Sequence, residues 1–421
     1  MQPRIVQTGT YCSENKGDAA MQLACATVVR EQWPQVMINI SSPFPDIDGP
    51  YYASIANVIP CHRRRLVYST LQVMRTFAWR QINRMTGRDV GWLIPEKELQ
   101  AYRQADLVID LSGDMLTEDY GAHVAISHYI PLLNAILLDC PLFICAQSVG
   151  PFRWTRHLAR WIFKRARAIT LREEISFEYL ESIGIDPRSA FLTADMAFLL
   201  PKSPDARVDD ILAQEGIFVG HTSMVGISVS RILEKKYEIT RGVNDKVFIQ
   251  LMAEVLDDFA KMHDVKIVFI AHVTGPTEVK NDRLISQQIV RKMSSEAHVI
   301  RGNYRSDELK GIIGRCTVFI GARMHANIAA LSSSIPVLAL SYSHKTHGIM
   351  EALGQKKWVI PGEQITESHL AFMIKKLWKQ RHSVAETLRE SSQNLEANAR
   401  KNIYLVRQLV ESKSDTNEVL D

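Results

Sequence analysis

No stretch of this sequence stays apolar for the ~20 residues that a bilayer-crossing helix needs. The longest apolar runs, 105–113 and 136–146, are broken by Asp, Ser, Cys or Gln. The opening residues, MQPRIVQTGTYCSENKGD, lack the apolar stretch and small-residue cleavage site of a secretory signal. The expectation is a cytoplasmic protein that at most touches the inner face of the cell membrane. Cysteine is sparse: Cys12, Cys25, Cys61, Cys140, Cys145 and Cys316 are scattered, with no CxxC pair and no His–Cys ligand spacing. That argues against a disulfide framework or a zinc site and for reduced, buried thiols. No metal and no cofactor is expected. A large excess of one sign of charge is also lacking: the net charge is +4, and without a nucleic-acid-binding motif it gives no reason to expect that partner.

What is present is a long chain of ordinary globular composition. Its 421 residues, 46% apolar and 23% charged, exceed the size at which one core keeps growing, so two domains are expected. Near-continuous apolar runs alternate with helix-patterned segments at 4–9, 36–41, 106–112, 141–149, 168–172 and 189–198. Strands of that kind are buried on both faces of a parallel sheet. PKSPDAR at 201–207 interrupts the alternation, and the design then repeats at 225–230, 265–273, 298–302, 316–323 and 336–342. The reading is α/β, with two Rossmann-like domains facing across a cleft at 1–205 and 220–383 and a C-terminal helix and tail at 384–421. Ligands of such sheets sit beyond the carboxyl ends of the strands, so residues just past a strand are the site candidates.

The strongest local signal runs from Gly321 to Gly348. An apolar strand ends at Gly321, a turn carries Arg323, and a small-residue helix opens with His325 in its first turn. Exposed N–H groups, the positive helix end and a guanidinium then converge, the outline of an anion site. Tyr342 and Lys345 follow the next strand, so a second cation reaches the same edge. Arg323 and Lys345 can equally be read as solvated surface cations, and His325 as a satisfied helix-start histidine; the convergence of all three favours the site.

At these residues the sequence resembles the polysaccharide pyruvyltransferase family. The resemblance covers about residues 5–355 and rests on Asn15-Lys16-Gly17-Asp18, Ala146-Gln147-Ser148-Val149-Gly150-Pro151, Leu171-Arg172-Glu173-Glu174 with Ser176, Asp195, and above all Gly321-x-Arg323-x-His325-Ala326 with Tyr342 and Lys345. It implies a fold similar to the GT-B glycosyltransferases. It also implies transfer of pyruvate from phosphoenolpyruvate to a sugar hydroxyl pair, giving a ketal in exopolysaccharide or cell-surface polysaccharide biosynthesis. Asp18, Arg172, His325 and Lys345 are among the family's functional residues. The substrate-binding candidates are Arg323, Lys345, Arg172, Asn15, Gly17, Asp114, Gln147 and Tyr342, and the partners implied are phosphoenolpyruvate and a lipid-linked saccharide. One segment departs: Asp110-Leu111-Ser112-Gly113-Asp114 stands where many relatives carry a glycine triplet, so acceptor recognition there does not carry over.

The chemistry needs an acid for the donor's methylene carbon, a base for the attacking hydroxyls, and charge neutralisation. His325 is the candidate acid, because imidazole exchanges protons near neutral pH. Asp18, expected to face the cleft from the N-terminal domain, is the candidate base. Asp18 can alternatively be the N-cap of a helix over 19–33, and Arg172 a structural partner of Glu173, Glu174 or Glu178.

Residues 62–88 hold seven arginines and no acidic residue. Leu66, Thr70, Val73, Phe77 and Met85 can share one helical face while Arg80, Arg84 and Arg88 form another. This reads either as a helix on an anionic membrane surface or as one packing its apolar face inward. Two other functions stay open: a GT-B glycosyltransferase using a nucleotide sugar, and a non-catalytic scaffold in polysaccharide assembly.

Overall fold

The structure, a computed structural model, describes residues 2–62, 65–218, 220, 222–243, 247–342 and 344–418, side chains of 344, 345 and 413–418 excepted. Its strands are β1 (Arg4–Thr8), β2 (Met37–Ser42), β3 (Asn57–Pro60), β4 (Leu107–Asp110), β5 (Leu142–Gln147), β6 (Ala168–Leu171) and β7 (Ala190–Leu192), then β8 (Met224–Ser228), β9 (Lys266–Phe269), β10 (Ala297–Val299), β11 (Val318–Gly321), β12 (Val337–Ser341) and β13 (Val359–Pro361). They form two sheets, ordered β3-β2-β1-β4-β5-β6-β7 and β10-β9-β8-β11-β12-β13. Every pairing between these strands is parallel: Ile5 of β1 lies opposite Ile38 and Leu107, and Ile320 of β11 opposite Ile227 and Leu338.

The central strands LVID, LFICAQ, MVGIS and VLALS are buried at every position, as strands covered by helices on both faces must be. The edge strands β3 and β13, which lack such runs, each end on a proline, Pro60 and Pro361. Proline is tolerated there because an edge needs no N–H on its outer side. The order of strands reverses between β1 and β4 in the first sheet and between β8 and β11 in the second, and those are the switch points where such sheets bind ligands. TADMAF is not a continued strand. Asp195 Oδ1 accepts from the Ala197 N–H at 2.8 Å and starts the 3₁₀ turn Met196–Leu199.

Contacts divide the chain into two units: Met1–Ser13, Met21–Leu199 and Asn398–Asp421 in the first, Glu14–Ala20 and Leu200–Ala397 in the second. Two segments differ from the expected division. Residues 14–20 group with the second unit, and the last helix runs over Glu367–Glu418, with its end in the first. Buried Asn402 of that helix holds the first unit's 193–195 segment through Thr193 Oγ1 at 3.0 Å and the Ala194 carbonyl at 3.1 Å. All six cysteines are free thiols.

Candidate functional site

In the second unit, β11 stops at Gly321 because nothing larger fits: a Cβ there would meet Asn327 Oδ1 at 1.8 Å. Asn327 in turn donates to the Gly321 carbonyl at 3.1 Å, so strand end and helix start are tied together. Arg323 takes the N-cap position of the helix Met324–Leu331 in extended conformation, and His325 follows in the first turn. Arg323 does not stand as a free cation. Its Nε and Nη2 fork onto both oxygens of Asp282 at 2.7 and 2.8 Å, and the Asp282 side chain is fully buried. Burial works against the guanidinium's charge, but the Asp282 carboxylate and a hydrogen bond to Tyr342 outweigh it and hold Arg323 above its ordinary range. Burial pushes Asp282 up while Arg323 pulls it down. The pair therefore presents oriented N–H donors more than net charge.

The Asn15–Asp18 loop joins this cluster. Asn15 bridges Val273, the Lys16 N–H donates to the His272 carbonyl at 2.8 Å, and Ser306 Oγ donates to the Lys16 carbonyl at 2.8 Å. Lys16 is buried, its Nζ donating to Asn303 Oδ1 at 2.8 Å. Gly17 has no side chain for a direct reason: a Cβ would lie 2.3 Å from His325 Nδ1. The loop thus packs its bare Cα against the imidazole. The helix begins at Lys16, not Ala19, and Asn15 caps it through Oδ1 to the Gly17 N–H at 3.2 Å. Asp18 is accordingly not the cap. It sits at the third helical position and accepts from Asn15 Nδ2 at 2.8 Å.

His272, which no motif singled out, is buried beside His325, Lys16 and Arg323, and burial followed by those cations lowers its pKa from 6.5 to about 3. Its only sequence signal is its place just past β9. Below pH 6.5 the unfolded chain takes up a proton that this native histidine refuses, so stability present above 6.5 is lost as pH falls toward 3. Roughly 2 kcal/mol should go between pH 6.5 and 5. His272→Gln should flatten that limb in urea titrations at the two pH values; an unchanged slope would contradict the buried neutral state.

The first unit carries its own polar cluster. Register between β5 and β6 shifts at Ile144/Gln147, with Ala146 in the left-handed region at φ 52. The bulge places Gln147 Nε2 on the Asp110 carbonyl at 3.1 Å and Ser148 Oγ where it accepts from Arg172 Nε at 2.8 Å. Arg172 pairs with Asp195, both side chains fully buried, and not with Glu174 or Glu178. Burial disfavours its charge, and the fields of Asp195, Glu173 and Asp114 overcome this. Arg172 Nη2 and Gln147 Oε1 have no hydrogen-bond partner among the described residues. Asp114 accepts from Tyr120 at 2.8 Å.

Of the sequence candidates, Asn15, Gly17, Asp18, Arg323, His325 and Tyr342 lie in the second unit, and Arg172, Gln147 and Asp114 in the first. Asp18 was expected on the N-terminal domain; backbone bonds of its loop to 272–274 place it with His325 instead. Lys345 falls in the first turn of the helix His344–Ala352, with its side chain outside the described residues. Sequence reasoning missed Asp282 and His272. Among the described residues no cluster of His, Cys, Asp or Glu is arranged to hold a metal ion.

The sequence matches the family model described as polysaccharide pyruvyl transferase over residues 15–344. It is 24% identical over 369 residues to the amylovoran biosynthesis protein AmsJ of Erwinia amylovora, covering 83% of this chain and 86% of that protein. Among solved structures, the fold is similar to UDP-GlcNAc 2-epimerase from Neisseria meningitidis bound to UDP-GlcNAc, with TM-score 0.62 and 11% identity over 97% of this chain and 100% of that one. A glycosyltransferase from Rickettsia africae ESF-5 gives TM-score 0.58 and 11% identity over 97% and 99%. At such identity the likeness is one of fold: two parallel α/β units of the GT-B kind.

Proposed function

The chain belongs to the polysaccharide pyruvyl transferase family, and from that premise we propose that it transfers the pyruvyl group of phosphoenolpyruvate to two hydroxyls of one sugar in a lipid-linked saccharide. The observation that supports this best is the grouping of Lys16, Arg323 and His325 beyond the carboxyl end of β11, with Gly17 closed against the imidazole. Arg323 N–H groups, Lys16 and Lys345 are assigned to the donor's phosphate and carboxylate, with Tyr342 holding Arg323.

In this reading His325 gives a proton to the methylene carbon, and the neighbouring carbon accepts the electron pair of the first sugar hydroxyl as Asp18 takes that hydroxyl's proton. Phosphate then leaves with the C–O bond pair. The second hydroxyl adds to the resulting oxocarbenium and returns its proton to His325, Asp18 gives its proton to the departed phosphate, and the products are one ketal and one phosphate. Arg172, Gln147 and Asp114 of the first unit are assigned to the acceptor, and no cofactor takes part.

Phosphoenolpyruvate at about 100 times its Kd should stabilise the protein by ~2.7 kcal/mol, a rise of roughly 5–10 °C in Tm. UDP- and GDP-sugars should leave Tm unchanged. The reverse pattern would replace this reading with nucleotide-sugar glycosyl transfer. Asp18→Asn should stop transfer with donor binding nearly normal; a variant that is merely less stable, with full specific activity, would remove Asp18 from the reaction.

A further inference from the structure

The helix Leu66–Thr86 in the first unit is built inside out. Its buried positions are Ser69, Gln72, Thr76 and Trp79, polar or amphipathic side chains; Ser69 Oγ donates to the His62 carbonyl, Thr76 Oγ1 to the helix's own Gln72 carbonyl and Trp79 Nε1 to Asp89. Its exposed positions include Val67, Leu71, Met74, Phe77 and Met85, with Val67 at 78% and Met85 at 83% exposure. Of the face grouped from the sequence, Leu66, Thr70, Phe77 and Met85 are exposed and Val73 is half-buried, so of the two readings the inward-packing one does not hold, and the arginines are partly turned in. Arg75 pairs with Glu96, Arg80 and Arg84 with Asp139, and Arg80 also donates to the Ile136 carbonyl.

A soluble helix normally turns its apolar side to the core. This one keeps an apolar stripe some 30 Å long in contact with the surroundings. The rim of that stripe is cationic: Arg65 and Arg88, at its two ends, are exposed and make no ion pair among the described residues. No acidic residue lies on the helix itself, and Asp89 just beyond it is held by Trp79 and Arg103. Trp92, in the 3₁₀ turn Gly91–Leu93 that follows, is 75% exposed, as suits a ring at a headgroup boundary.

We propose that the helix Leu66–Thr86 is an interfacial element that lies on an anionic lipid bilayer, its Val67–Leu71–Met74–Phe77–Met85 face in the acyl boundary and its terminal arginines on the headgroups. Two features favour a lipid plane over a protein groove. The apolar residues stand exposed along one helix, and exposed arginines flank it at both ends, complementary to a continuous negative surface. No described helix is long and apolar enough to cross a membrane, so the contact is with one leaflet. The inference is independent of the donor chemistry proposed above.

The test is co-sedimentation of the full chain with vesicles of phosphatidylglycerol and phosphatidylethanolamine, against phosphatidylcholine alone, at low and high salt. The expected result is binding to the anionic vesicles that falls at least about tenfold in high salt and on neutral lipid. A variant with Val67→Ser, Leu71→Ser, Met74→Ser and Phe77→Ser, shown folded by circular dichroism, should lose binding by a similar factor. Arg65→Glu with Arg88→Glu should lose it while leaving phosphoenolpyruvate binding unchanged. Three outcomes overturn the proposal: no binding of the wild type at low salt, undiminished binding of the serine variant, or a lipid-free dimer that the serine variant breaks.

Discussion

His325→Gln is expected to lower kcat by roughly 10²- to 10⁴-fold, the contribution of a positioned general acid, while donor affinity stays within about threefold of wild type because the Arg323 donors remain. The substitution is chosen for its geometry. Gln is smaller than the imidazole that crowds Gly17, where the space is already closed to a Cβ at 2.3 Å, so the loop should keep its place. The side chain retains a polar end but cannot deliver a proton near neutral pH. Single-turnover transfer and calorimetric donor binding, measured on the same preparation, separate the two terms. If kcat is unchanged, the acid lies elsewhere; if donor binding collapses with kcat, His325 is a binding group. A scaffold would show no functional loss at all.

The second large effect is expected at Asp282, a residue outside the Gly321–Gly348 segment. Asp282→Ala leaves the Arg323 guanidinium, whose side chain is 13% exposed, without its counter-charge. Breaking a buried pair from one side costs about 3–5 kcal/mol, so Tm should fall by ~6–20 °C. The decisive comparison is the double variant Asp282→Ala with Arg323→Met, beside the Arg323→Met single variant. Removing both charges should restore most of the stability, giving a coupling energy of a few kcal/mol in the cycle, yet donor binding should be weak because the remaining Arg323 N–H donors are gone. Stability lost additively would show that the two residues act separately. Full donor affinity in the double variant would take Arg323 out of the donor site.

The sequence by itself determined the two parallel sheets, because continuous apolar runs such as LVID, LFICAQ and VLALS have only one stable home, between layers of helices. It also placed Gly321, Arg323 and His325 together at a strand end, since they are close in sequence and local geometry alone brings them there. Short or proline-ended edge strands such as β3 and β13 escaped because three or four residues carry too little pattern.

Only the tertiary structure decided the partners. Asp282 meets Arg323 from 41 positions away, and a charge in a helix start gives no sequence sign of which cation it will face. Asp18 joins His325's unit through main-chain bonds at Lys16 and Thr274, which leave no side-chain trace to read. Residues 66–86 were legible as a helix, but periodicity reports that two faces differ and not which one is covered. There the covered side carries Ser69, Gln72, Thr76 and Trp79, with Arg80 bonded to the Ile136 carbonyl, and the apolar side was left outside.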